Sequence, residues 1–185
     1  MQLFLIRHPK PEIATGICYG QSDIDVSDLN CQLVFEQLKT ALPADVRIFS
    51  SPLQRCAKLA QLLHRAPILD ARLMEMHFGK WEMQSWDVIE RKEIDAWAAD
   101  VIAYQPEGGE TVIDVAARVI DFLGDLSHKS LNDAAIVAHA GSIRMILAYQ
   151  LGMQASDLAE EVAREKKSIQ FDERCIHQIV LISFP

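Results

Sequence analysis

Leu3-Phe4-Leu5-Ile6-Arg7-His8-Pro9 is four bulky apolar residues running into an arginine, a histidine and a proline. Such a run, stopped by a breaker, reads as a short buried strand. Arg7 and His8 then fall at its carboxyl end, where open α/β sheets bind their ligands. A cation beside an imidazole that can act as a nucleophile points to an anion, phosphate first; the plain alternative is a strand end with two solvated polar residues. The pattern returns at Ala134-Ala135-Ile136-Val137-Ala138, whose continuous apolar run reads as another buried strand. His139-Ala140-Gly141-Ser142 follows, its small residues letting backbone come close to a ligand.

Val46 to Ser50 and Pro67 to Leu69 supply further short strands. Between them lie helical patterns. Ser27-Asp28 caps one whose stripe is Leu29, Leu33, Phe35, Leu38 and Leu42, ended by Pro43. Ser51-Pro52 has the form of an N-cap followed by a first helical position, with Leu53, Cys56, Ala57, Ala60 and Leu63 as the apolar face. Asp87 to Tyr104 is expected to be helical, burying Trp86, Ile89, Ile94 and Trp97. Thr111-x-x-Asp114 is a capping box for a helix lined by Val115, Val119, Phe122, Leu123 and Leu126. Ser142 starts a helix over Ile143 to Leu151, Ala155 to Lys167 is polar and helix-competent, and Ile176 to Ser183 closes as a strand. Alternating strands and helices predict an α/β three-layer sandwich: a mainly parallel central sheet, helices on both faces, right-handed crossovers.

The 185 residues suit one domain spanning 1–185 with one core. A net charge of -8 argues against nucleic acid. It is compatible with a small phosphorylated substrate, because a few converging arginines set the local field. No apolar run approaches the roughly 20 residues of a membrane span, and the chain opens directly into a strand rather than a signal peptide. A cytoplasmic protein is the expectation. Cys18, Cys31, Cys56 and Cys175 lack paired metal or redox spacing, so free thiols are expected.

Arg7, His8, Arg55 and His139 all fall just past apolar strands, and in a parallel sheet those ends share one edge. Arg55 lies in a helix's first turn, where cations are disfavoured; it marks an anion site or a solvated face. Two arginines and two histidines around one anion suit phosphoryl transfer, which also needs a proton for the leaving oxygen. Glu75 and Glu82 are the candidate acids, each with solvation as its plain alternative. The long loop after His8, through Gly16-Ile17-Cys18-Tyr19-Gly20-Gln21-Ser22-Asp23, is either a pocket wall or a surface loop.

At this point the chain resembles the histidine phosphatase superfamily, the group that includes phosphoglycerate mutases. Leu5-Ile6-Arg7-His8 matches its R-H signature and Ser50-Ser51-Pro52-Leu53-Gln54-Arg55-Cys56 its S-x-L-x-R-A stretch. Leu73-Met74-Glu75-Met76-His77-Phe78-Gly79-Lys80-Trp81-Glu82 is similar to L-x-E-x-x-F-G-x-W-E, Gly108-Gly109-Glu110-Thr111 to G-G-E-S, and Val137 to Arg144 to V-x-H-x-G-x-I-R. The resemblance implies a phosphoglycerate mutase-like fold and a metal-independent phosphomonoesterase with no cofactor, the arginines supplying the charge a magnesium ion would otherwise bring. It makes His8 the nucleophile, forming a phosphohistidine. Arg7, Arg55 and His139 bind the phosphoryl group, and Glu75 is the general acid, with Glu82 the second candidate.

The loop Gly16 to Asp23 is similar to that of α-ribazole phosphatase-like members, which act in cobalamin assembly. This makes Tyr19, Gly20, Gln21 and Glu82 candidate substrate contacts. A phosphatase of another small phosphomonoester, a mutase, and a degenerate module that binds a phosphorylated ligand without turnover are the alternatives. The oligomeric state is open between monomer and homodimer. Three features depart from the family pattern: Pro9 stands for a glycine after the nucleophile, the run Pro9-Lys10-Pro11-Glu12-Ile13-Ala14 lacks an expected asparagine, and Met83 replaces the glycine of W-E-G.

Overall fold

The computed structural model describes residues 1–152 and 179–183. Five strands form one sheet in the order β3-β2-β4-β1-β5, with β1 at Gln2–Arg7, β2 at Arg47–Ser50, β3 at Ile68–Leu69, β4 at Asp133–Ala138 and β5 at Ile179–Ser183. All neighbours run parallel except β5, which is antiparallel to β1. The expected strand from Ile176 thus holds over Ile179–Ser183; its first three residues, Cys175 and the Ala155 to Lys167 segment lie outside the described residues.

β1 and β4 read as continuous apolar runs because both of their faces are covered. Leu3, Leu5 and Ile136 pack with Val119, Phe122, Leu123 and Ile146 of α4 (Val112–Ser127) and α5 (Ala140–Gln150). Phe4, Ile6 and Val137 point the other way, onto Val34 and Leu38 of α1 (Asp28–Leu38) and Leu59 of α2 (Gln54–Leu63). Alternate side chains of one strand therefore feed two cores, and the expected three-layer sandwich results. No helix among the described residues is long and apolar enough to cross a membrane. Cys18, Cys31 and Cys56 are free and buried.

α4 follows its expected form. Thr111 Oγ1 accepts from the Asp114 amide at 3.1 Å, and Asp114 Oδ2 accepts from the Thr111 amide at 2.9 Å. The other four α-helices among the described residues correct the expectation. In α1 the buried stripe is Cys31, Val34 and Leu38, whereas Leu29 and Leu33 are 68% and 55% exposed. α2 starts at Gln54, not Pro52. Its first amide donates to Asp23 Oδ1 at 2.7 Å, so a carboxylate from the long loop caps it, and Ser51 is drawn instead into the site. α5 starts at Ala140, with His139 as its cap residue.

The expected helix over Asp87 to Tyr104 shrinks to α3 (Arg91–Ala99). Before it, Ser85 bridges Ile17 and the Trp86 amide donates to Gly16 O at 2.9 Å, so this stretch is paired with the loop. After it, Asp100 Oδ1 accepts from the amides of Ile102 and Ala103 and turns the chain out of the helix.

Candidate active site

Parallel pairing places the strand ends side by side. The His8 amide donates to Ala138 O at 3.1 Å and the Ser51 amide to Val137 O at 3.0 Å, each one residue beyond its strand. His8, Ser51 and His139 thus leave the sheet at one edge, and the rings of His8 and His139 lie 5.0 Å apart.

His8 is buried, and Nδ1 lies 2.7 Å from Pro9 O. A carbonyl only accepts, so Nδ1 carries the proton and Nε2 the lone pair. Burial, then the charges of Arg55 and Arg7, lower the His8 pKa to about 3, against the stabilising bond to Pro9. The ring is therefore neutral near neutral pH. Pro9 has lost an N–H relative to the family glycine, but the atom it contributes here is its carbonyl oxygen, which every residue has.

Arg55 is fully buried, and its donors are directed to defined acceptors: Nε to His139 Nδ1 at 3.2 Å, one terminal nitrogen to Ser22 O at 2.9 Å, the other to Gly20 O at 2.5 Å. Its guanidinium also sits 5.3 Å from the Tyr19 ring centre. Because Arg55 donates to Nδ1, His139 carries its proton on Nε2, which donates to Ser51 Oγ at 2.8 Å. Burial, followed by the nearby His8 and Arg55, holds the His139 pKa well below its ordinary value.

A pocket of about 130 Å³ opens above this layer. Arg7, His8, Glu75, Tyr19 and Gly20 line it, with Ile17, Cys18, Phe78 and Trp86 completing its wall. Arg55, His139 and Gln21 are not on its lining; Arg55 bonds to the carbonyl of Gly20, which is, and the His139 ring packs against that of His8. Glu75 is half-buried; its Oε1 accepts from the Met76 amide at 3.0 Å and its Oε2 from the Gly141 amide at 3.1 Å. Glu82 is brought to the site but outside the pocket. Its oxygens accept from the amides of Gln21 and Phe78 at 2.8 and 3.0 Å, and from the amide and hydroxyl of Ser22. It fastens the loop that carries Tyr19 and Gly20.

Gly20 has φ +23°, and a Cβ there would strike Glu82, the Met76 carbonyl and Phe78, so this turn requires glycine.

Sequence reasoning missed Arg118. Its side chain is 17% exposed, and it donates to the carbonyls of Arg72, Met74 and Glu75 at 2.7, 2.7 and 2.9 Å while forking onto Glu110. Glu110 in turn accepts from the His77 amide at 2.9 Å and from Gln21 Nε2 at 3.2 Å. One ion pair therefore ties together the Glu75 segment and the Gln21 loop. Nothing local in the sequence marks it; the G-G-E element supplied only Glu110.

The family model of the histidine phosphatase superfamily (branch 1) matches residues 3–169. The chain belongs to this superfamily. Among its curated relatives, the glucosyl-3-phosphoglycerate phosphatase of Mycolicibacterium vanbaalenii is 31% identical over 173 residues, 82% of this chain and 75% of that protein. Phosphoserine phosphatase 1 of Hydrogenobacter thermophilus is 27% identical over 168 residues, 84% of this chain and 79% of that protein. The crystal structure of the α-ribazole phosphatase from Shigella flexneri superposes with a TM-score of 0.75 at 28% identity, covering 85% of this chain and 83% of that one. These phosphoglycerate mutase-like neighbours share the mostly parallel sheet described above.

Proposed function

We propose that this histidine phosphatase superfamily member is a metal-independent phosphomonoesterase working through a phosphohistidine on His8. The observation that carries the reading is the His8 ring: neutral, held by Pro9 O in the tautomer that leaves Nε2 unprotonated, and lining one pocket with Arg7 and Glu75. A buried neutral imidazole with a fixed tautomer is a prepared nucleophile.

In the first step Nε2 bonds to phosphorus and the P–O ester bond breaks. The electron pair leaves on the alcohol oxygen, which takes its proton from the Glu75 carboxyl. In the second step the Glu75 carboxylate takes a proton from water as the water oxygen bonds to phosphorus. The P–N bond breaks, its electron pair returning to Nε2. Arg7 in the pocket and the buried Arg55 guanidinium behind it supply positive charge for the equatorial oxygens, and His139, whose Nδ1 accepts from Arg55 and whose Nε2–H is given to Ser51, holds that guanidinium in place. Holding this layer in place before substrate arrives is the task of the Arg55 bonds to Gly20, Ser22 and His139.

The finer reading is α-ribazole 5'-phosphate as substrate, a step of cobalamin assembly. It is supported by the loop Gly16 to Asp23 and by the likeness to the Shigella flexneri enzyme. Phosphate release, measured with chelator present, from α-ribazole 5'-phosphate and a panel of small phosphomonoesters tests both levels. Marked preference for the first supports the cobalamin assignment, and activity across the panel keeps the chemistry alone. Thermal stabilisation by phosphorylated ligands with no release points instead to a binding module.

A further inference from the structure

The wall of the pocket opposite the sheet is built from Ile17, Cys18, Tyr19, Phe78 and Trp86. It is held from behind. The Cys18 amide donates to Gln84 O at 2.9 Å and the Met83 amide to Cys18 O at 2.6 Å, so the loop and the 83–86 stretch pair edge to edge. Trp86 meets Phe78 edge-on with ring centres 5.9 Å apart and stacks on Trp97 at 5.9 Å and 13°. Trp81 joins this cluster. The wall is thus a preformed apolar surface rather than a set of loose side chains.

Charge is distributed unevenly across the cavity. Among the described residues that line it, Arg7 is the one cationic side chain, and it stands beside His8 where the phosphoryl group must sit; the other acid–base group on the lining is the Glu75 carboxyl, which serves the leaving oxygen. A carboxylate on the leaving group would face the aromatic wall with no cation among the described residues of that wall to meet it. Leaving water unpaired in this way costs affinity. Phosphoserine and glucosyl-3-phosphoglycerate, which give two relatives their names, both carry such a group.

Resting on the phosphatase reading above, we infer that the Ile17–Trp86 wall is a leaving-group subsite for a flat, uncharged ring, and that it disfavours esters bearing a carboxylate. Specificity here comes from what the wall lacks as much as from what it offers.

Calorimetric binding of two phosphonates on the intact chain tests this: benzylphosphonate and phosphonoacetate, which differ in a ring against a carboxylate on the same methylene. Benzylphosphonate is expected to bind about tenfold tighter or more, the return on burying a ring face. Ile17→Lys, which adds a cation to a half-buried position of the wall, is expected to reverse the order; Trp86→Ala is expected to narrow it. Equal affinities in the native chain, or phosphonoacetate the tighter, overturn the inference, as does an Ile17→Lys chain whose order is unchanged. Phosphate release from benzyl phosphate is followed alongside. Ring preference without release keeps the subsite and overturns the phosphatase reading; release without ring preference does the opposite.

Discussion

Gly141 and Glu75 are built around each other. The Gly141 amide donates to Glu75 Oε2 at 3.1 Å, and a Cβ at position 141 would overlap the same carboxylate. The glycine of His139-Ala140-Gly141 therefore lets helix α5 approach the Glu75 side chain. Gly141→Ala should displace Glu75 without unfolding the chain and lower kcat by about 100-fold, the scale of an ångström-sized misplacement of a reacting group. Steady-state kinetics check it; a kcat within twofold of the native value would show that Glu75 is not held by this contact.

Arg118 acts on the same carboxyl from the other side, through backbone. Arg118→Met removes the donor to three carbonyls and leaves Glu110 without its fork. The expected cost is about 2 kcal/mol of stability, below that of a fully buried pair because both partners are partly exposed, together with a kcat loss larger than the change in KM. The informative measurement is the double-variant cycle with Glu75→Gln. If Arg118 positions Glu75, its removal costs little kcat once the acid is gone; additive losses would make it a purely structural residue.

The two buried rings give the protein an acid-side weakness. The His8 pKa is lowered to about 3 and that of His139 is also held down, in both cases chiefly by burial. Above pH 6.5 neither state binds the proton. As pH falls below 6.5 the unfolded chain takes up protons at these positions while the folded chain does not, so unfolding becomes easier. Denaturant titrations should show stability constant above pH 7 and falling progressively between about 6.5 and 3. His8→Asn should flatten part of that slope, and a slope unchanged by the substitution contradicts the assignment of His8 as a buried neutral ring.

Met83 has φ +64° where the family pattern has glycine, and its side chain is 55% exposed. The left-handed conformation costs a non-glycine residue about 1–2 kcal/mol, part of which glycine's greater unfolded-state entropy cancels. Met83→Gly is therefore expected to raise stability by about 0.5–1 kcal/mol, read from the denaturant midpoint; a lower midpoint would show that the exposed thioether packs usefully.

The sheet was legible because its two central strands are buried on both faces and so announce themselves as unbroken apolar runs. The gathering of Arg7, His8, Arg55 and His139 at one edge follows from parallel pairing alone. The face of α1 was not legible: Leu29 and Leu33 form as good a stripe as Cys31, Val34 and Leu38, and only the position of Phe4 and Ile6 beneath the helix decides between them. Asp23 capping α2 and Arg118 gripping Glu110 are tertiary contacts with no local spacing to betray them. Glu82 was visible as a carboxylate near the site, but its work as a loop clamp depends on amides that only the folded loop presents.

The proposed phosphoryl transfer passes through a covalent bond at His8 Nε2, and that bond can be trapped. A single-turnover reaction with a radiolabelled phosphomonoester, quenched in alkali, digested and read by mass spectrometry, should carry the label on His8 alone, stable to base and lost in acid. His8→Ala should carry none and release no phosphate. Phosphate release by the native chain with no labelled His8 at any quench time, or turnover that survives His8→Ala, would contradict it.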